Sequence, residues 1–158
     1  MITAFVEKNS VVGEIIEIKD KTELNHMKNS FRLQVGDSLR IVDGEYEYFT
    51  EIIELSKNEM ICKIIEKRED SFSTKVEIHA GIGLLKNDKM ELVIQKLVEV
   101  GVSKIIPVQM QRTIVKINEK KEKWDTIAKE ALKQCQAVKL TEITEPKALK
   151  KIDYSEYD

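Results

Sequence analysis

One stretch, Lys86–Arg112, constrains the fold more than any other: KNDKMELVIQKLVEVGVSKIIPVQMQR. Asp88 followed by Glu91 has the spacing of a capping box, in which side chains close the free N–H groups of a helix start. Met90, Val93, Ile94, Leu97 and Val98 recur three and four residues apart, as one face of a helix requires. Gly101 stands where a left-handed residue ends such a helix. The run KIIPV is short, apolar and β-branched, which predicts a strand covered on both faces. With Val76–Leu84 as a preceding strand, the order is β-α-β, so the strands are predicted to be parallel and joined by a crossover.

The rest of the chain divides around this unit. Before it, Ile2–Val6 and Val11–Ile18 read as strands, Tyr46, Tyr48 or Phe49, and Ile52 as strand formers, and Met60–Ile65 as the strand after a hairpin loop. Gly36-Asp37, Asp43-Gly44 and Ser56–Glu59 read as the turns of an antiparallel meander, and polar Thr22–Ser30 as a short helical turn. Short strands at this spacing predict a small β-barrel over residues 1–70, and the charged segment Lys67–Lys75 reads as the linker to a second unit over residues 71–158. In that second unit Trp124, Ile127, Ala128, Ala131, Leu132 and Cys135 form the apolar stripe of a helix predicted over Glu119–Val138. A third strand is expected at Leu140–Ile143, ahead of Pro146. The fold class is thus α+β in two units, a small barrel followed by half of an open parallel α/β sheet.

Charge separates the two units. Residues 1–75 carry 11 basic and 15 acidic side chains, whereas residues 104–151 carry 12 basic and 6 acidic. A basic segment on an acidic chain permits an anionic partner such as RNA, and solvated helix lysines explain it equally well. The apolar fraction of 42% supports a packed core. No apolar run reaches the roughly 20 residues that span a bilayer, and the N-terminus has no signal-peptide pattern. Cys62 and Cys135 both fall in apolar periodic contexts, which predicts buried, reduced thiols and a cytoplasmic location.

Few residues point to chemistry. His26 and His79 are the only histidines, and neither has a partner at a zinc-ligand spacing, so no metal is expected. His79 is expected to point outward from its strand. Gly81-x-Gly83 lacks the third glycine of a dinucleotide fingerprint. Taken singly, Lys86, Gln95, Lys96, Glu99 and Arg112 read as surface polarity. Lys86 and Arg112, however, follow the carboxyl ends of consecutive parallel strands, where open sheets bind ligands, and together they suggest an anion site. Arg32 and Arg40 of the first unit are further candidates for phosphate contact.

At these residues the chain resembles a known family. HMKNSFRLQVGDSLRIVDG is similar to the opening domain of the RsmE family, with its histidine, Leu-Arg-like pair and Val-Gly-Asp ahead of an Asp-Gly turn. KNDKMELVIQKLVEVGVSKIIPVQMQRTIVK looks like that family's central signature, and EKWDTIAKEALKQC resembles its next helix. The resemblance implies a SPOUT-class methyltransferase that uses S-adenosylmethionine to methylate N3 of a uridine in small-subunit (16S) ribosomal RNA. It further implies a PUA-like RNA-binding barrel, a trefoil-knotted α/β domain and a homodimer.

Carried over by motif, His26 and Arg32 fall at patterned positions of the barrel, and Lys86, Gln95, Lys96, Glu99 and Arg112 at those of the catalytic domain. The resemblance implies RNA phosphate contact for Arg32, Lys86 and Arg112, and a site-orienting or dimer role for Gln95, Lys96 and Glu99. It assigns no catalytic base. Two departures stand out. Cys135-Gln136-Ala137 and Thr141 replace a small residue and an arginine before a proline, with Lys139 as the nearest cation. The family's Gly-Pro-Glu-Gly-Gly and Leu-Arg-x-Glu-Thr-Ala segments, which form the knot and hold the cofactor, do not occur. A chain without them is expected to hold no cofactor-binding residues and to be inactive alone. The alternative is a non-catalytic RNA-binding or subunit-interaction module, and a small nucleotide-binding α/β protein is a third reading.

Overall fold

The structure, a computed structural model, describes residues 1–70, 73–112, 115–155 and 157. It falls into two units, Met1–Phe72 and Ser73–Asp158. In the first, strand-forming residues make β1 (Thr3–Phe5), β2 (Val11–Val12), β3 (Ile15–Ile18), β4 (Ser38–Val42), β5 (Tyr46–Leu55) and β6 (Met60–Glu69). They form one curled half-barrel sheet in the order β1-β4-β5-β6-β3-β2. The meander β4-β5-β6 is antiparallel as the turn pairs predict, but β1 joins β4 in parallel. The β5–β6 ladder slips register at Phe49/Thr50 and again at Ile52/Glu54. Such irregularities bend a strand and raise its twist, which is how two ten-residue strands curl around a core.

Three expectations change in this unit. Val11–Ile18 is not one strand: Gly13, at φ 62°, turns the chain so that Val12 pairs with Ile15 in a hairpin. Thr22–Ser30 belongs to a full helix, α1 (Lys21–Phe31), which Asp20 caps by accepting a 2.8 Å hydrogen bond from the Glu23 N–H. Only Leu24 and Met27 of α1 are buried, too few apolar residues for the sequence periodicity to show its length. Residues Lys67–Glu69 also complete β6 where a linker was expected, while Ser71 and Phe72 of that linker lie outside the described residues. The core joins Ile16, Leu39, Ile41, Ile52, Met60 and Cys62 from the sheet to Leu24 and Met27 from α1.

The second unit contains β7 (His79–Gly83), α2 (Asn87–Glu99), β8 (Lys104–Gln109), α3 (Glu122–Cys135), β9 (Glu142–Ile143) and β10 (Lys147–Ala148). All its pairings are parallel: β7 lies on one edge of β8, and β9 and β10 both lie on the other. β9 and β10 are therefore one third strand with a gap. The gap faces Ile106–Pro107 of β8 and contains Pro146, so the chain's two prolines flank it from both sides. Neither has an N–H to give a ladder, which accounts for the break and for Lys147–Ala148 being missed beyond Pro146.

β8 is buried at Ile105, Ile106, Pro107 and Val108, as a strand covered on both faces must be. On one face α2 and α3 lie side by side: Lys123 pairs with Glu91 at 2.7 Å, and the Lys121 ammonium donates to the Asn87 side-chain oxygen at 2.8 Å. Met90, Ile94 and Val98 of α2 and Trp124, Ala128, Ala131 and Leu132 of α3 are buried beneath them. On the other face Ile106 and Val108 meet the C-terminal residues Leu149, Ile152, Tyr154 and Tyr157 across a cavity of about 380 Å³.

Here too the detail differs from expectation. Val76–Ile78 precede β7 and are exposed at Val76 and Ile78. The Asp88–Glu91 capping box does not form: Lys86 is the N-cap with no side-chain cap bond, and Glu91 is drawn to Lys123. Gly101 does adopt the left-handed backbone, at φ 82°. Cys135 is exposed, because it ends α3 where Gln136 turns left-handed and the apolar stripe has run past its packing partners. His79 does not point freely outward. Its Nδ1 lies 3.0 Å from the Tyr157 hydroxyl, and its side chain is 16% exposed. No helix among the described residues is long and apolar enough to cross a membrane.

Candidate functional site

A parallel sheet gathers its strand-to-helix loops on one edge, so β7 and β8 decide which side chains meet there. The loop after β7 carries Lys86, whose extended backbone (φ −66°, ψ 142°) opens α2. The turn after β8 carries Arg112. Both side chains are exposed, and neither forms a hydrogen bond or ion pair among the described residues. The first amides of α2 are free of intrahelical partners and add positive potential beside Lys86. Lys86 and Arg112 thus follow the carboxyl ends of neighbouring parallel strands.

Gln95, Lys96 and Glu99 form a second, separate group. The Glu99 carboxylate accepts from the Gln95 amide at 2.9 Å and from the Lys96 ammonium at 2.7 Å. The Lys96 bond, aided by that of Gln95, holds the Glu99 carboxyl below the ordinary range. Nine residues separate Lys86 from Gln95, roughly 13 Å along a helix at 1.5 Å per residue. The group therefore sits on the flank of α2 and not at the sheet edge.

In the first unit, Arg32 follows α1 in a left-handed conformation (φ 52°, ψ 37°) and is exposed. His26, on the last turns of the same helix, is exposed as well. Arg40 is not a phosphate contact. Its side chain is 7% exposed, and its Nε donates to Glu47 at 2.8 Å, so its charge is already answered inside the sheet. Two exposed aromatic–cation contacts were unforeseen: the Lys67 ammonium 3.5 Å from the Tyr46 ring centroid and the Arg68 guanidinium 4.5 Å from that of Phe49. The signal was available in the sequence only through strand pairing, which sets Tyr48 opposite Lys67 and Glu47 opposite Arg68.

Residues 72–157 match the family of RNA methyltransferase domains, and residues 18–65 match RNA methyltransferase PUA domains. Ribosomal RNA small subunit methyltransferase E of Bacillus subtilis is 34% identical over 118 residues, covering 71% of this chain and 46% of that protein. The protein of the same name from Buchnera aphidicola (subsp. Schizaphis graminum) is 28% identical over 141 residues, covering 85% and 57%. The chain spans about half the length of these curated relatives. A putative methyltransferase of Legionella pneumophila, solved with bound cofactor SAM, superposes with a TM-score of 0.81 at 26% identity, covering 94% of this chain and 63% of that one. Ribosomal RNA small subunit methyltransferase E of Neisseria gonorrhoeae, at 20% identity and a TM-score of 0.83 over 97% of this chain and 66% of its own, shares the fold. With the family matched over more than half of its residues, the chain belongs to the family of RNA methyltransferase domains, with a PUA-like unit ahead of that domain.

Proposed function

We propose that the protein methylates N3 of a uridine in small-subunit (16S) ribosomal RNA, with S-adenosylmethionine as methyl donor, in the cytoplasm and as a homodimer. Its 158 residues here supply the grip on RNA. The observation that carries this reading is the pair of cations, Lys86 and Arg112, on the carboxyl edge of a parallel sheet, neither with a partner among the described residues. In this reading both bind backbone phosphates, as Arg32 does from the first unit, and they fix orientation without selecting sequence. Gln95, Lys96 and Glu99, bound to one another on the flank of α2, orient the site or line the dimer contact.

The described residues do not fit the cofactor. Among the described residues, the cavity on the sheet's other face is walled by Gly81, Ile106, Val108, Met110, Leu149 and Ile152, with His79 and two tyrosines as its polar side chains. No cation stands there for the α-carboxylate of S-adenosylmethionine, and no carboxylate for its ribose hydroxyls or ammonium group. We therefore place the cofactor outside these residues and take the 158-residue chain alone to be inactive. The uracil N3 proton must leave during transfer.

Titration calorimetry of the purified chain tests both halves. We expect no heat with S-adenosylmethionine, and binding to a ribosomal RNA fragment that weakens as salt rises. Lys86→Ala and Arg112→Ala should each lower the salt slope by roughly one phosphate contact. Micromolar cofactor binding would remove the inactive-alone assignment, and RNA binding indifferent to both substitutions would remove the RNA assignment. A second reading, a non-catalytic RNA-binding or subunit-interaction module, draws support from a cavity whose described lining residues include no cation and no carboxylate. Methyl transfer by a form of the protein extended to its relatives' length would eliminate it.

A further inference from the structure

The outer face of α1 is chemically unlike the rest of its unit. Residues 24–36 contain no Asp or Glu, although residues 1–75 carry 15 acidic side chains. The nearest acid downstream, Asp37, is occupied by the Gln34 N–H at 2.7 Å. Within this acid-free stretch Leu24, Met27 and Leu33 turn inward and are buried. Phe31 turns outward, 44% exposed, with its ring 5.0 Å from that of His26 in an edge-to-face contact of 86°. His26 is itself steadied by Ser30, whose hydroxyl lies 3.3 Å from Nδ1. Next in sequence to Phe31 is Arg32, exposed, whose guanidinium has no hydrogen-bond or ion-pair partner among the described residues.

Arg32 occupies a position that glycine fills at lower cost, since an L side chain at φ 52° is strained. A strained backbone at a cation without a partner, beside an exposed aromatic ring, is the pattern of a ligand clamp. An aromatic face and a neighbouring cation together match one ligand class, an unpaired nucleotide with its base on the ring and its phosphate on the cation. We propose that His26, Phe31 and Arg32 form a site for one unstacked nucleotide of the RNA: the base stacks on Phe31, which His26 holds in place, and Arg32 takes the adjoining phosphate. The site rests on the RNA reading above and adds to it a preference for single-stranded over duplex RNA.

The test is fluorescence anisotropy of the 158-residue chain with labelled single-stranded and duplex oligoribonucleotides of equal length, across a salt series. Phe31→Leu should weaken single-strand binding roughly five- to fifty-fold, the range of a lost base–aromatic stack, and leave the salt slope and duplex binding unchanged. Phe31→Tyr keeps the ring and should bind within about three-fold of the parent. Arg32→Gly relieves the backbone strain, so it should melt no lower than the parent, yet its salt slope should fall by roughly one contact. Equal losses on single-stranded and duplex RNA, or no loss with Phe31→Leu, would overturn the site. So would a Phe31→Leu chain that changes its sedimentation, because the face would then meet a second copy. If the parent chain binds no RNA at all, both readings fall; if Lys86→Ala and Arg112→Ala weaken binding while Phe31→Leu and Arg32→Gly do not, only this one does.

Discussion

The interior of the first sheet and the outer rims of the two units treat the same side chain in opposite ways. Inside, Arg40 lies between β4 and β5 with Glu47 at 2.8 Å and the Thr3 hydroxyl at 3.5 Å. On the rims, Arg32 and Arg112 are exposed with no partner among the described residues. Removing a guanidinium from water costs so much that the fold must answer it. A solvated one can stay unanswered without penalty. Whether an arginine has a partner therefore separates those spent on the fold from those whose charge the fold leaves to solvent. Arg68 falls between the two, exposed but gripped by both Glu66 oxygens at 2.6 and 2.8 Å.

The sharpest way to break this contrast is to remove the inner partner. Glu47→Ala removes the carboxylate that answers a buried guanidinium and should destabilise the first unit by about 3–5 kcal/mol in urea denaturation followed by circular dichroism. Adding Arg40→Leu should restore most of that loss, because the pair can be replaced by apolar packing where a single charge cannot. A Glu47→Ala chain with an unmoved midpoint would show that water reaches Arg40.

Much of this organisation was legible in the residues. The β-α-β unit was, since α2 and α3 bury regular stripes and β8 is a plain apolar run. Features that depend on few or distant residues were not. α1 looked like a turn because two apolar residues carry its inner face, and its Asp20 cap lies outside the polar stretch. The Asp88–Glu91 spacing promised a cap, but the partner that decided the matter, Lys123, comes from another helix. Of the candidate site, the motif positions were readable and their grouping was not. Only the helix rise separates Lys86 from Gln95, and only strand pairing shows that Arg40 is enclosed.

The two cysteines extend the contrast to a milder effect. Cys135 is exposed, whereas Cys62 is buried and burial pushes its thiol up to about 11 from an ordinary 9.0, slightly offset by Thr50. The unfolded chain then ionises first. Stability is full below about pH 9 and declines as pH rises through the folded value, by about 2–3 kcal/mol at 1.36 kcal/mol per unit. Burial and the bond to Asp43 push the Tyr48 hydroxyl up as well, so the loss should steepen above pH 10. Urea midpoints measured from pH 7 to 11 check this. Cys62→Ala should flatten the early part of the limb, and an unchanged limb would mean that Cys62 ionises as freely folded as unfolded.

The smallest effect belongs to Arg68. Its bond to Glu66 has shorter distances than the inner pair, and the two side chains lower the carboxyl and raise the guanidinium by mutual hydrogen bonding. Geometry alone would rank it first. Both partners, however, are about half exposed, so water replaces whatever either one loses. Glu66→Gln should leave the urea midpoint of the first unit where it was, at low and at high salt. A shift approaching that of Glu47→Ala would mean that short distances, and not enclosure, set the worth of an ion pair in this sheet. The division between arginines held by the fold and arginines left to solvent would then need another basis.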